Sequence, residues 1–149
     1  MKLFRTALLA ASLIAFASPA VADDRADMEN FMAGYLDLWN AHDAAAITAH
    51  IYQLDGAHAW SSADGLKAEF DRLKSLGYDK SDTHSITGCM LSADTGQVEL
   101  RYTRLKTDGS FMPPKDRTSV YKLRKFPDGW RVTGFAGLPE GARMDCPKS

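Results

Sequence analysis

The segment Gln97–Gly137 places the strongest limit on the folds open to this chain, because it predicts three consecutive antiparallel strands. The predicted strands are Gln97–Thr107, Thr118–Phe126 and Trp130–Gly137. Together they carry β-branched and aromatic residues interleaved with Arg and Lys, which is typical of a sheet with one buried face and one solvated face. The turn Pro127-Asp128-Gly129 predicts a tight hairpin, since Asp-Gly accepts the positive φ that such turns need.

Three helices are predicted before this sheet, and they are the natural cover for its buried face. Their predicted bounds are Asp24–Ala41, Ala44–Tyr52 and Ala63–Leu76. The first has apolar residues at three- and four-residue spacing, which forms one wide stripe. Asp43 is the predicted N-cap of the second helix. Ser61 and Asp64 have the spacing of a capping box for the third, and Gly77 is its predicted C′ residue.

The remaining segments complete an α+β fold. Gln53–Trp60 predicts a turn followed by a short strand, and Ser81–Ser92 predicts a further strand with a bulge at Gly88. The predicted order is therefore α-α-β-α-β-β-β-β. Because the helices precede most of the strands, we expect a curved antiparallel sheet that wraps around the N-terminal helices.

Residues 1–22 have the three parts of a secretory signal peptide. Lys2 and Arg5 form a positive n-region, residues 6–17 are uncharged and mainly apolar, and Ala20-Val21-Ala22 is a cleavage site of small residues. The alternative is a membrane anchor, but an apolar run of about 12 residues spans roughly 18 Å as a helix, against a hydrocarbon core of about 30 Å. We therefore predict an exported protein, periplasmic or secreted, with no membrane anchor after cleavage and a mature domain over residues 23–149.

Charge and composition exclude one broad class of function. The chain has 18 basic and 19 acidic residues and a net charge of −1, with the basic residues scattered along it. This pattern lacks the basic patch of a nucleic-acid-binding protein, so no nucleic-acid partner is expected. The apolar fraction of 45% is enough for a core in a single domain of this length.

Cys89 and Cys146 are the only cysteines in the chain. In an exported protein an even number of cysteines predicts a disulfide, whereas two buried free thiols are the alternative. The bridge would attach the irregular tail, residues 138–149, to a strand. Closing so long a loop is worth roughly 4 kcal/mol in the chain-entropy model.

Two motifs and the order of elements resemble the nuclear-transport-factor-2-like superfamily, also called polyketide-cyclase-like or ketosteroid-isomerase-like. The motifs are Tyr35-Leu-Asp-Leu-Trp39-Asn40-Ala-His-Asp43 and Pro127-Asp128-Gly129-Trp130-Arg131-Val132. The resemblance implies a cone-shaped domain with an apolar pocket at its mouth, and often a homodimer formed through the sheet. The family includes enzymes, transport adaptors and oligomerisation domains, so the resemblance does not by itself imply an activity.

The resemblance to ketosteroid isomerase can be followed residue by residue. The tyrosine that donates to a developing enolate oxygen in that enzyme corresponds to Tyr35. The position of its general-base aspartate corresponds to Ala59, which has no carboxylate, and Asp55 lies beside Gly56 in a predicted turn. The donor position therefore matches and the base position does not.

Three residues are candidate catalytic groups, namely Tyr35, His58 and His84. Histidine titrates near neutral pH and suits proton transfer. The alternatives are a core tyrosine and two histidines at a turn or strand end. His84 is expected to share a strand face with Ile86 and to lie on the side of Tyr102. The predicted ligand-binding residues are Tyr35, Trp39, Trp60, His84 and Tyr102.

Basic residues alternate along the predicted strands, and most of them should lie on the solvated face; they are Arg101, Arg104, Lys122 and Arg124. One of them turned inward could hold a carboxylate ligand, but the pattern does not indicate which.

His42, His50 and His58 recur at eight-residue intervals without a recognisable metal-ligand motif, so neither a metal nor a cofactor is expected.

The sequence is thus compatible with three functions. The first is a module that binds a small hydrophobic molecule, indicated by the signal peptide, the aromatic residues and the missing base. The second is a cofactor-free isomerase or dehydratase using Tyr35, His58 and His84. The third is a protein-interaction or dimerisation domain.

Overall fold

The computed structural model describes residues 19–147. Helix α1 spans Pro19–Asn40, α2 is the single turn Ala44–Ala46, and α3 spans Ala63–Ser75. A π-helical turn, Ile47–Ile51, continues α2, and a 3₁₀ turn, Ala59–Ser61, precedes α3. Four strands follow: β1 Tyr78–Met90, β2 Thr95–Lys106, β3 Arg117–Phe126 and β4 Gly129–Leu138. The predicted signal peptide, residues 1–22, lies outside the described residues except for the helical backbone of its last four.

The four strands form one antiparallel sheet in chain order, β1-β2-β3-β4. The helices lie on one face of it, which confirms the predicted α+β fold. Alternate residues of β2 show the two faces: Val98 and Leu100 are buried in the core, whereas Glu99 between them points to the other face. The core therefore lies between the helices and the inner face of the sheet.

Helix α1 packs on the sheet through the apolar stripe that its spacing predicts. Five of its residues are buried: Met28, Met32, Tyr35, Leu36 and Trp39. Two strand glycines lie beneath it. A Cβ on Gly96 would lie 2.4 Å from the sulfur of Met28, and one on Gly88 would lie 3.2 Å from Cγ of Arg25. Side chains at these two positions would therefore crowd α1.

The helix ends are capped as predicted, except that the N-cap of α3 lies one residue later in the chain. The carboxylate of Asp43 accepts a hydrogen bond from Ala46 N–H at 2.9 Å, which confirms it as the N-cap of α2. Gly77, with φ of +87°, confirms the predicted C′ position after α3. The N-cap of α3 is Ser62 rather than Ser61, and its hydroxyl accepts from Gly65 N–H at 3.2 Å. The hydroxyl of Ser61 instead donates to the carbonyl of Gly56.

The predicted short strand within Gln53–Trp60 is wrong. Only Tyr52 forms an isolated bridge, to Val132 of β4, and the chain then turns. The carboxylate of Asp55 accepts from Ala57 N–H at 2.8 Å, and Nδ1 of His58 accepts from Trp60 N–H at 3.0 Å. Such local side-chain bonds satisfy the backbone in a turn and compete with strand pairing.

The predicted bulge at Gly88 is also wrong, because Gly88 pairs in register with Val98. The register of β1 shifts instead between Tyr78 and Lys80 and between Thr83 and Ser85. Gly88 N–H donates to a carboxylate oxygen of Glu29 at 2.8 Å, so this glycine marks the close approach of α1.

The tail is attached to the outer face of the sheet. Cys89 and Cys146 form the predicted disulfide, with their Cα atoms 5.8 Å apart. The buried carboxylate of Glu99 accepts from Nε of Arg143 at 2.8 Å and from Met144 N–H at 2.6 Å. Burial would raise the pKa of Glu99, but these two hydrogen bonds outweigh it and the pKa is lowered.

Candidate functional site

A cavity of about 250 Å³ lies between α1, the 3₁₀ turn and the inner face of the sheet. Six aromatic side chains supply most of its wall, and they are Tyr35, Trp39, Trp60, Tyr102, Tyr121 and Phe135. Leu36, Leu100 and Gly137 complete the apolar part. The polar lining residues are Ser81, Arg104, Arg117 and Ser119. The site is therefore an aromatic chamber with a basic side.

The aromatic rings pack closely against one another. Trp60 stacks on Phe135 with 4.9 Å between ring centroids and 23° between planes, and its centroid lies 5.7 Å from that of Trp39. Trp39 is fixed in turn, because its indole N–H donates to the hydroxyl of Tyr78 at 2.9 Å. A wall held on both sides in this way keeps its shape and presents flat apolar surfaces to a ligand.

Gly65 in the first turn of α3 allows Trp60 to reach this wall. A Cβ at Gly65 would lie 1.8 Å from the carbonyl oxygen of Ala59, next to Trp60. Only a residue without a side chain fits this contact between α3 and the 3₁₀ turn. The glycine therefore helps to set the position of Trp60.

Three tyrosine hydroxyls lie close together, and two of them belong to residues of the aromatic wall. Oη of Tyr35 lies 3.0 Å from Oη of Tyr52 and 3.4 Å from Oη of Tyr121. Burial, followed by the neighbouring tyrosines, raises the pKa of Tyr35 well above its usual value, and burial also raises that of Tyr121. These hydroxyls stay neutral at physiological pH, so they can donate hydrogen bonds but do not act as anionic bases.

Two arginines line the opposite part of the cavity, Arg104 near the end of β2 and Arg117 at the start of β3. Tyr102 pairs with Arg117 in the sheet, so Arg104 is the diagonal neighbour of Arg117. The Nε atom of each is buried and has no hydrogen-bond partner among the described residues. Neither guanidinium forms a salt bridge with a described carboxylate.

Both arginines are held in place by neighbouring groups. Nη2 of Arg117 donates to the carbonyl of Pro113 at 2.6 Å, in the loop between β2 and β3. The guanidinium carbon of Arg104 lies 5.7 Å from the ring centroid of Tyr78. Burial lowers the pKa of Arg117, and the positive charge of Arg104 lowers it further. The two cations therefore lie close enough to repel each other.

Four of the five predicted ligand-binding residues line the cavity, namely Tyr35, Trp39, Trp60 and Tyr102. The hydroxyl of Tyr102 pairs with Oγ of Ser119 at 3.1 Å. The part of these residues in ligand binding stays a prediction, since their position alone does not identify a ligand.

The fifth, His84, does not line the cavity. Its Nε2 lies 2.7 Å from Oγ1 of Thr103, which points away from the face that carries Tyr102. The expected shared face with Tyr102 is therefore wrong, and the register shift between Thr83 and Ser85 is the reason.

His58 lies beside the aromatic wall without lining the cavity. Its ring centroid is 5.2 Å from that of Phe135, and its Nδ1 is occupied as the acceptor for Trp60 N–H. Its observed contacts are thus those of a turn residue. Ala59, at the position that corresponds to the isomerase base, is exposed.

Several lining residues were missed by the sequence interpretation, namely Arg117, Ser119, Tyr121 and Phe135. The period-two spacing of the first three was the available signal, since one face of β3 carries them all. Of the four alternating basic residues, only Arg104 lines the cavity. Lys122 and Arg124 are exposed, and Arg101 lies on the outer face beside Thr118 and Glu140.

Within residues 24–147 no three side chains of His, Cys, Asp or Glu are grouped so that they could hold a metal ion. None of the helices within residues 19–147 has the length and hydropathy of a membrane span.

Solved structures with this fold come from several bacteria. An NTF2-like protein with a cystatin-like fold from Novosphingobium aromaticivorans has a TM-score of 0.59 at 20% identity, covering 82% of this chain and 86% of that one. A ketosteroid isomerase-like protein from Erwinia carotovora atroseptica has a TM-score of 0.52 at 19% identity, with coverages of 76% and 93%. An NTF-2 like protein of unknown function from Shewanella oneidensis has a TM-score of 0.55 at 19% identity, with coverages of 78% and 98%. At these identities the likeness shows the fold alone.

No match was found among curated proteins. A family model described as NTF2-like protein (DUF6841) matches residues 22–140, which include both motifs, all four strands and every residue that lines the cavity. The chain is therefore a member of this NTF2-like family.

Proposed function

We propose that this protein is an exported domain that binds a small, mainly apolar molecule in the cavity between α1 and the sheet. The observation that carries the proposal is the chamber itself, with six aromatic side chains around about 250 Å³. An apolar cavity of about 150 Å³ is enough to bind benzene. The size thus suits a ligand of one or two rings, or a short alkyl chain.

The lining residues favour binding over proton-transfer catalysis. None of the residues that the structure places around the cavity has a carboxylate or an imidazole. The raised pKa values of Tyr35 and Tyr121 keep their hydroxyls protonated. The site therefore offers surfaces and hydrogen-bond donors without a group suited to abstract a proton at neutral pH.

A larger residue in place of Gly137 can fill part of the cavity without removing a side-chain contact. Gly137 lines the cavity on β4, its φ is not positive, and a Cβ built on it meets nothing within 4 Å. It pairs with Ser119, so a larger side chain there would point into the chamber. Gly137→Leu should fill part of the space while the fold is kept.

The test is calorimetric titration with three matched pairs of probes: benzoate and benzamide, 2-naphthoate and 2-naphthamide, hexanoate and hexanamide. We expect at least one probe to bind the unmodified protein and to lose its binding in Gly137→Leu. Ala136→Leu is the matched control, because Ala136 is exposed on the same strand and points away from the cavity. Failure of all six probes, or equal binding by Gly137→Leu, would overturn the proposal.

A further inference from the structure

The two arginines of the cavity have positive charges that no described residue balances. A desolvated charge is normally paired or hydrogen-bonded, because desolvation of an unpaired ion is costly. Arg104 and Arg117 are half-buried, and the Nε–H of each is buried without an acceptor among the described residues. They also lie near enough for the charge of Arg104 to lower the pKa of Arg117. Two partly desolvated cations side by side are less favourable by themselves than with an anion bound between them.

The position of the pair suits one end of an elongated ligand. The two residues are diagonal neighbours across β2 and β3, at a Cα separation of about 7–8 Å, which their long side chains can close. Phe135 pairs with Tyr121, four residues along β3 from Arg117, and Trp60 stacks on Phe135. The two cations thus lie at one end of the lining, and the stacked pair Trp60 and Phe135 lies away from them along the sheet.

We infer that the ligand is a small organic acid, with its carboxylate between Arg104 and Arg117 and its apolar body against Trp60 and Phe135. This inference rests on the proposed function, because it assigns the chemical class of the molecule bound in the same cavity. Guanidinium groups match the planar carboxylate in shape, and hydrogen bonds between the two ions are among the strong ones.

A carboxylate fits this pair better than a phosphate does. Nη2 of Arg117 already donates to the carbonyl of Pro113, so that guanidinium has only part of its donors to offer. The cavity has no third cation among its described lining residues. Two oxygens sharing one negative charge match two guanidiniums of which one is already partly engaged, whereas a phosphate has more oxygens and more charge to satisfy.

The experiment compares each acid with its primary amide, which has the same shape and no charge. The acid that fits best should bind the unmodified protein about tenfold more tightly than its amide, as expected for charged hydrogen bonds. Arg104→Gln and Arg117→Gln should each lower the affinity for the acid about tenfold and change the affinity for the amide less than twofold. Inorganic phosphate should not displace the acid at equal concentration.

Arg101→Gln is the matched control, since Arg101 lies on the same strand as Arg104 and on the outer face. It should leave both affinities unchanged. If Arg117→Gln fails to fold because the loop contact is lost, Arg104→Gln decides the question by itself.

The possible failures are distinguishable. If an amide binds as tightly as its acid and is lost in Gly137→Leu, the binding function holds and the acid assignment is overturned. Unchanged affinity of Arg104→Gln for the acid overturns the acid assignment as well. Displacement of the acid by inorganic phosphate would assign a phosphate group to the ligand in place of the carboxylate. If none of the six probes binds, both proposals fail together.

Discussion

The indole N–H of Trp39 donates to the hydroxyl of Tyr78 across 2.9 Å, and the same hydroxyl lies 2.9 Å from Oγ of Ser81. These contacts join α1 to the first residues of β1. All three side chains are buried. The tyrosine hydroxyl therefore satisfies two buried polar groups.

Tyr78→Phe should lower the free energy of unfolding by about 1–3 kcal/mol, because it leaves the Trp39 N–H and the Ser81 hydroxyl without this partner. The measurement is urea denaturation followed by circular dichroism. Tyr102→Phe is the control, since Tyr102 is only half-buried and shares one hydroxyl contact with Ser119. Tyr102→Phe should lower the free energy of unfolding by at most about 1 kcal/mol. Equal losses for the two variants would contradict the prediction.

Gly65→Ala should push the 3₁₀ turn away from α3, because the new Cβ would lie 1.8 Å from the carbonyl oxygen of Ala59. We expect a loss of about 1–3 kcal/mol in the free energy of unfolding, and weaker binding of the probes as Trp60 is displaced. Gly34→Ala serves as the comparison, since Gly34 is an exposed helical residue with nothing within 4 Å of an added Cβ. That change should raise stability by about 0.5–1 kcal/mol. A neutral or stabilising Gly65→Ala would show that the contact can relax.

Stability should depend on pH through Glu99, whose folded-state pKa is lowered by Arg143 and Met144 N–H against the effect of burial. A lowered folded-state pKa means that the stabilisation is present above the ordinary value of 4.5 and is lost as the pH falls below it and through the folded-state value. Because Arg143 is 58% exposed, we expect only about 1 kcal/mol from this ion pair.

The corresponding experiment is denaturation of the unmodified protein and of Glu99→Gln at neutral pH and below pH 4.5. The difference between the two proteins should shrink at the lower pH. A difference that stays constant with pH would assign the effect of the substitution to packing instead of charge.

The predicted export and homodimer can be tested together by native mass spectrometry of the protein purified from an exporting bacterium. The expected mass is that of residues 23–149 less the two hydrogens lost in the bond between Cys89 and Cys146. The expected species is the homodimer. A mass that retains residues 1–22 would contradict cleavage after Ala22, and a monomer at micromolar concentration would contradict the homodimer.

The helices and long strands were predictable because their apolar periods are uninterrupted. Met28, Met32 and Trp39 recur at helical spacing, and Val98 and Leu100 alternate with polar residues along β2. The turn at Asp55 was predicted, but the segment around His58 was wrongly predicted as a strand, because its conformation depends on side-chain bonds to individual backbone groups. The spacing of Ser61 and Asp64 also matched a capping box, although Ser62 is the residue that caps α3.

The cavity was predictable only in part. Tyr35 and Trp39 lie in the helical stripe, so their inward direction followed from the period. The alternation along β2 and β3 also places Arg104 on the face of Leu100 and Arg117 on the face of Tyr121, but a basic side chain is more often solvated, so these two were not assigned to the cavity. His84 could not be placed by alternation, because a shift in the register of β1 reversed the face on which its side chain lies.

The disulfide and the contacts of Glu99 attach the tail to the side of the sheet opposite the cavity. A domain fused to the end of this tail is therefore expected to lie behind the binding chamber. A protein coupled to a sensor surface through this end would present its cavity to the solution. The same geometry would let a fused reporter domain leave the chamber unobstructed.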